Sequence, residues 1–439
     1  MHIIADLHIH SAYSRAVSAE MTIPNLALWG KKKGIHVLGT GDFTHPKWLE
    51  HLRQNLEPAE PGLYKVPTTL NSGSAASCDV RFMVTTEISS IYSHGGKVRR
   101  VHNLVFAPSL EAAEKINGEL AKRGAKLASD GRPIVGISSR DLLNLVLSVS
   151  SDCLFVPAHA WTPWFAVFGS RSGYDSLEEC FGEDAKYIYA IETGLSSDIE
   201  MNWRLSKLDR VTLISNSDPH SLRRLGRECN VFEIAPEKLS YAEIARIIRE
   251  TDKEKFLFTV EYFPEEGRYH YDGHSDHKVV LHPSQSKKLK QRCPKCERPL
   301  TVGVLSRVEE LADRPEGFVP ERHIPGRHMV QLEEIIANSL GLRAATGKAV
   351  VSLYEKMVNE SFRCLPAGRQ GEMGILLDAT VEQIGQMGNP LVGEGVKRVR
   401  EGRLKISPGY DGAYGQIEIF SAEERKAYAG SKTTQTALF

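Results

Sequence analysis

The segment "HIIADLHIH", residues 2–10, governs how the rest of the chain is read. Its apolar start has the β-branched composition of a strand. Side chains in a strand alternate between faces, so His8 and His10 point the same way, together with Asp6. Two imidazoles placed like this make a ready pair of metal ligands. Ordinary strand histidines satisfied by hydrogen bonds are the alternative for an isolated pair, so the remainder of the chain must decide.

The remainder repeats the pattern. Through about residue 234, the short runs "IHVLGTGD", "FMVTTEISS", "VHNLVFA", "CLFVPAHA", "YIYAIETG", "VTLISNSD" and "NVFEIA" alternate with amphipathic or capped helical stretches. That rhythm predicts βα units with parallel strands, whose carboxyl ends converge on one rim. The polar residues near those ends are His8, His10, Asp42, Glu87, His102, His159, Glu192, Asp218 and His220. His102 is the awkward member because it opens its run, and His94 is a rival in what reads as a turn, "YSHGGKV". A cluster of this size can hold more than one divalent ion. Mixed imidazole and carboxylate ligands favour zinc, manganese or iron over calcium or magnesium alone. Several ions a few ångström apart suit phosphoester hydrolysis.

Composition sets the limits. The 439 residues predict two or three domains, and 41% are apolar, enough for a sizeable core. Lys+Arg and Asp+Glu each number 55, so no global basic field announces a nucleic-acid partner and any such contact must be local. The seven cysteines (Cys78, Cys153, Cys180, Cys229, Cys293, Cys296 and Cys364) are odd in number and mostly scattered, which argues against a disulfide framework. No apolar run approaches about 18 residues and no leader is evident, so a soluble cytoplasmic protein without membrane association is expected.

Composition shifts near Phe263, and three regions are expected: 1–262, 263–316 and 317–439. In the second, "CPKC" places Cys293 and Cys296 at the spacing of a zinc knuckle, while His274 and His277 repeat the two-residue gap. Those four would complete one structural zinc site, with His270 and His282 as competing ligands. The third region has helical apolar spacing in "MVQLEEIIANSLG" and "GKAVVSLYEKMVNESF". "GLRAATGKAV" fails as a phosphate loop, because Ala349 stands where Ser or Thr would bind magnesium.

In order, "DLHIHS", "GTGDFTHP", "TTEIS", "VHNLVF", "PAHA" and "SNSDPHS" resemble the successive motifs of the polymerase and histidinol phosphatase (PHP) domain. That resemblance implies an α/β fold built on a distorted (β/α)7 PHP-type barrel. The small zinc-binding module and a mainly helical C-terminal region would follow it. It also implies two or three divalent ions (Zn, Mn or Mg). His8 and His10 would bind the first with Glu87 and Asp218, and Glu87 would bridge to a second completed by His102 and His159. A third would use His220 and the "GDFTH" segment, where Phe43 stands in place of the usual His, leaving Asp42 or His45 as ligand. Asp218, Glu87, His8 and His10 would be the catalytic set.

A narrower resemblance is carried by "SAYSRAVSAEM", "TGDFTHPKW", "PAHAWTPWFAVFGSRSGYDS", "IETGLSSD", "NWRLSKLD" and "CPKCERPLTVGVLSRVEELADRP". These look like the endonuclease Q family of PHP-type nucleases, which implies nicking of DNA on the 5′ side of deaminated bases (uracil, hypoxanthine, xanthine) or abasic sites. DNA contacts are expected from Tyr13, Arg15, Trp48, Trp161, Trp164, Arg171, Arg223, Lys397 and Arg398, with aromatic residues stacking on an extruded base and cations on phosphates. The alternative is a PHP-family phosphoesterase for a small phosphorylated substrate, which would not require the zinc module or the basic tail. A scaffold with a degenerate barrel would have lost ligands that this chain keeps.

Overall fold

The strand His2–Asp6 lies at the middle of a mixed sheet that sets the position of everything near it. The computed structural model describes residues 1–67 and 80–435, and Cys78 falls outside them. On one side His2–Asp6 pairs in parallel with Val37–Gly39, which pairs in parallel with the long strand Arg81–His94. On the other it pairs antiparallel with Cys229–Glu233, followed by Phe256–Glu261 and then Gly326–His328. Each of the eight strand stretches expected from sequence contains a strand.

The expectation of uninterrupted parallel βα units is corrected at Cys229–Glu233, which runs antiparallel to the first strand, and at a turn that reverses the long strand. Arg81–His94 and Lys97–Ala107 form an antiparallel hairpin closed by Gly95 and Gly96, at φ of 60° and 74°. Two left-handed glycines let the chain reverse at once, so no helix intervenes. His102 is therefore mid-strand opposite Ser89, which explains why it opens an apolar run whose first half is charged. Leu154–Pro157 adds antiparallel to that hairpin, and Ala190–Glu192 pairs in parallel with Thr212–Ile214. Two further bonds bring the last pair round to the first strand: Leu7 donates its amide to Asn216 Oδ1 at 2.8 Å, and Asp218 donates its amide to His8 O at 3.1 Å. Ala5, Leu7, Val37, Met83, Leu104, Val156, Ala190 and Ile214, drawn from strands all around this path, meet in one interior cluster. Helices Ile23–Lys33, Leu110–Lys122, Ser139–Val149 and Tyr241–Glu250 carry amphipathic faces against the strands.

The third region is mainly helical, yet it is stitched to the first. Its strand Gly326–His328 extends the sheet, and Lys33 of the first helix reaches Glu372 Oε2 at 2.6 Å with both side chains buried. Tyr354 donates to the same oxygen at 2.9 Å, and the Leu332 amide donates to the other at 3.1 Å. Removing the cation strands a buried carboxylate, so Lys33→Ala should cost about 3–5 kcal/mol. Urea unfolding checks this, and a loss under about 1 kcal/mol would show that the pair does not fasten the two regions.

The segment 407–416, "SPGYDGAYGQ", clasps the small module. Asp411 accepts from the Ser275 amide at 2.7 Å and from the Thr301 hydroxyl at 2.5 Å, and the Tyr271 amide donates to Gly409 O at 3.0 Å. Among the described residues, no helix is long and apolar enough to cross a membrane.

Candidate metal centre

The strand ends at Asp6, so the pleat does not by itself set His8 and His10 side by side, as the sequence suggested. Leu7 lines the interior cluster, whereas Ile9 joins the outer core. The two imidazoles are instead fixed by carboxylates behind them. His8 Nδ1 lies 3.1 Å from both oxygens of Glu192, and His10 Nδ1 lies 3.1 Å from Asp42 Oδ1. Each carboxylate accepts the Nδ1 proton, which leaves the Nε2 lone pair facing inward. Both Nε2 atoms and Asp218 Oδ1 are buried and converge on the same space, with none of their contacts at good hydrogen-bond geometry. Buried polar atoms carry a penalty when poorly paired, so this convergence fits a bound cation.

Glu87 is the common point. Its Oε1 lies 2.5 Å from His102 Nδ1 and 3.0 Å from His159 Nε2, while Oε2 lies 3.3 Å from His10 Nε2 and 3.7 Å from His8 Nε2. Two groups result, His8–His10–Glu87 and Glu87–His102–His159, each with ligand atoms within 4.8 Å of one another. Asp218 Oδ1 stands at the edge of the first, 3.1 Å from His10 Nε2 and 3.8 Å from His8 Nε2. Burial pushes the Glu87 carboxyl up, but His102 and Arg132 outweigh it and hold the group ionised well below the usual range. Burial lowers His8, and Glu192 and Asp218 reverse this, leaving it well above an ordinary histidine, so an ion binding at Nε2 must displace a proton. These buried histidine and glutamate groups can hold metal ions.

The supporting loops are strained. Asp42, His159 and Asp218 sit at φ of 49°, 28° and 42°, in the left-handed region that non-glycine residues seldom occupy and that concentrates at functional sites. Asp6 braces the Asp218 loop by accepting from the Ser217 amide at 3.1 Å and the Gly226 amide at 3.0 Å. Its hydrogen bonds go to this loop and not to the two histidines it was expected to join.

Other expected residues fall in varied places. Asp42 faces the back of His10 and also accepts from the Ser11 amide at 2.6 Å. His45 stacks on Tyr13 with centroids 4.5 Å apart, and its buried Nδ1 has no partner. His220 packs 5.6 Å from the His10 ring. Tyr13, Arg15, Trp164, Arg171 and Lys397 are exposed. Trp48 and Trp161 are corrected to core residues, each 1% exposed, with indole N–H groups bonded to Gly41 O and Asn202 Oδ1 at 2.8 Å. Arg223 is paired with Glu333, and Arg398 donates to Ile419 O at 2.9 Å and to Glu424 at 2.7 Å, so neither projects freely towards a nucleic acid. His94 bonds the Tyr174 hydroxyl at 3.1 Å rather than Glu87.

Arg132 was missed in sequence, and its Nη1 lies 3.0 Å from Glu87 Oε2. It follows Gly131 in a loop outside the strand-end series, and no spacing rule marks it. Glu192 was noticed but given no role. Besides His8, it accepts from the His159 amide at 2.8 Å and the Asn216 side chain at 2.9 Å. Glu192→Gln should therefore weaken metal binding by about 10–100-fold, the usual cost of losing a carboxylate behind a ligating histidine. Competition with a chelator measures this, and unchanged affinity would discount the positioning role.

In the small module His274, His277, Cys293 and Cys296 bring their ligand atoms within 4.8 Å of one another. His277 Nδ1 and His274 Nδ1 each lie 3.4 Å from a sulfur, of Cys293 and Cys296 respectively. Burial raises the Cys293 thiol, but the two histidine contacts prevail and bring it down to about 6. Of the competitors, His270 is buried and stacks on Tyr271, while His282 caps the helix Pro283–Lys288.

No protein-family model matches the chain. Among solved structures, the lesion-specific endonuclease PfuEndoQ from Pyrococcus furiosus is similar at a TM-score of 0.81 and 30% identity, over 97% of this chain and 99% of that one. An endonuclease Q bound to a 27-mer duplex substrate with an abasic lesion at its active site matches at a TM-score of 0.80 and 31% identity, over 97% and 98%. An uncharacterized protein of Bacillus subtilis is 26% identical over 95% of this chain and 99% of its own length. An uncharacterized protein of Methanocaldococcus jannaschii is 30% identical over 62% of this chain, a match that spans 34% of that longer protein.

Proposed function

The chain belongs to the endonuclease Q family, and we propose that it is a metal-dependent DNA repair endonuclease. Its substrate is duplex DNA carrying a deaminated base (uracil, hypoxanthine or xanthine) or an abasic site, and it hydrolyses the phosphodiester 5′ of the lesion. The observation that carries this reading is Glu87 shared between two buried ligand groups, in a chain similar over nearly its whole length to a lesion-specific endonuclease. The strands around the interior cluster are read as the distorted PHP-type barrel, and the His274–His277–Cys293–Cys296 group as a structural zinc site.

His8, His10, Glu87 and Asp218 would hold one divalent ion and Glu87, His102 and His159 another, with His220 and either Asp42 or His45 near a third. When bound, zinc, manganese or magnesium supplies an acidified water and positive charge for the phosphate. The protein's share is orientation. Glu192 and Asp42 fix the two imidazoles, and Arg132, beside Glu87, places a cation where a phosphate would approach. Tyr13 and Trp164 offer exposed ring faces for an extruded base or its neighbours, and Arg15 and Arg171 exposed cations for the backbone. Cleavage of the bond from phosphorus to O3′ leaves a 3′-hydroxyl upstream and a 5′-phosphate on the lesion nucleotide. Labelled duplexes carrying each lesion, incubated with Mg²⁺, Mn²⁺ or Zn²⁺, test the assignment. Turnover of small phosphomonoesters without any nicking of lesion DNA would reject it.

A further inference from the structure

Where the chain leaves the strand Ala190–Glu192 and enters the helix Ile199–Trp203, Asp198 and Glu200 meet His328 in another set of ligand-type side chains, none shared with Glu87. Asp198 Oδ2 lies 3.2 Å from His328 Nε2, and Glu200 brings an oxygen so that all three ligand atoms lie within 4.8 Å of one another. Asp198 is 9% exposed, and its other oxygen is occupied by the Met201 amide at 2.8 Å. The His328 ring is held by stacking on Phe263, with centroids 4.9 Å apart and planes 28° from parallel.

An aspartate–histidine ion pair alone would account for two of these groups. It does not account for Glu261. That residue is fully buried and is the register partner of His328 across the parallel strands. Thr193 donates to its Oε2 at 3.3 Å, while Oε1 makes no hydrogen bond and Glu228, a second fully buried carboxyl, stands opposite it at the start of the antiparallel strand. Its side chain leaves the sheet on the same face as this group. A Cβ added to Gly326, two residues before His328, would lie 3.2 Å from Glu261 Cγ and 3.1 Å from Ile199, the neighbour of Asp198. Three carboxylates thus gather about one imidazole, an excess of negative charge that burial makes costly.

We propose that Asp198, Glu200 and His328 form a cation site for a divalent first-row transition ion, Zn²⁺ or Mn²⁺, with Glu261 supplying further negative charge behind it. Two carboxylates and an imidazole suit such an ion better than Ca²⁺, and three protein ligands leave a position for water. The site would tie the loop that follows Glu192 to the strand Gly326–His328, and so link the rim of the metal centre to the C-terminal region. It stands independently of the nuclease assignment.

Anomalous diffraction from crystals of the full chain, grown with Zn²⁺ or Mn²⁺ and measured across each absorption edge, reads the site directly. A peak about 2.0–2.2 Å from Asp198 Oδ2, Glu200 and His328 Nε2 is expected. After gel filtration, His328→Ala should retain one metal equivalent fewer than the parent, and Glu200→Gln, at an exposed position outside the core, should exchange that equivalent faster. Peaks at the Glu87 groups with none between Asp198 and His328 would overturn the proposal. So would a peak seen only in crystals, with equal metal retained by parent and both variants, which marks an adventitious ion only.

Discussion

A Glu87→Gln variant binds a lesion-containing duplex within about tenfold of the parent, yet nicks it on the order of 10³-fold more slowly. The estimate takes several kcal/mol as the contribution of metal-held charge in such reactions, at about 1.4 kcal/mol per decade of rate. The amide keeps the shape of the carboxylate but not its charge. One of its ends must also present N–H, either to His102 and His159 or to His10 and Arg132, which surround the two oxygens at 2.5–3.3 Å. Both ligand groups lose their common member in one substitution, whereas the exposed residues assigned to DNA, Tyr13, Arg15 and Trp164, are untouched. Recognition and cleavage should therefore separate. Fluorescence anisotropy and denaturing gels of the same labelled duplex give the two numbers, and bound metal measured in parallel should fall. Nicking within tenfold of the parent would show that Glu87 is not the bridge.

That His8, His159 and Asp218 were legible follows from where strands end: a strand is a short apolar run, and each of the three lies two to four residues past the end of one. Glu87 stood out differently, as a carboxylate interrupting a β-branched run, and the structure places it in the middle of Arg81–His94 and not at its end. Pairing itself was less visible. The strand Phe256–Glu261 depends on neighbours distant in sequence, and the turn at Gly95 and Gly96 was visible without the antiparallel hairpin it closes being drawn from it. Arg132 meets Glu87 only because the loop carrying it packs against the first: the Gly131 amide donates to Tyr13 O at 3.0 Å. Burial was misread for large aromatic residues because composition cannot separate a stacking indole from a core indole. Trp48 differs from Trp164 only in which side of the chain the fold covers. Arg398 was misread for a related reason: its guanidinium is spent on Ile419 O at 2.9 Å and Glu424 at 2.7 Å and not on a phosphate.

Replacing Cys293 and Cys296 together by serine should unfold the small module and leave the large sheet standing. The module's apolar core consists of Val279, Cys293 and Leu300, with Leu281 and Cys296 against it, so the two cysteines are a large share of what it buries. A core of that size cannot offset the entropy of ordering some fifty residues, whereas zinc binding contributes about 10–16 kcal/mol in isolated zinc-finger peptides. Serine retains the volume but not the thiolate, and His274 and His277 alone make a weak site. Asp411 and Gly409 would still tether the segment through Ser275, Thr301 and Tyr271, so the loss should appear as new protease cuts between residues 272 and 303. The interior cluster around Leu7, Met83 and Val156 shares no residue with the module, and its thermal transition should move little. The double variant should lack one zinc equivalent and bind lesion DNA more weakly, because the module's exposed Lys287, Lys288 and Lys290, cations suited to phosphates, are no longer held in place. Retention of zinc and of protease resistance would mean that packing against the C-terminal clasp, and not the ion, holds this module together.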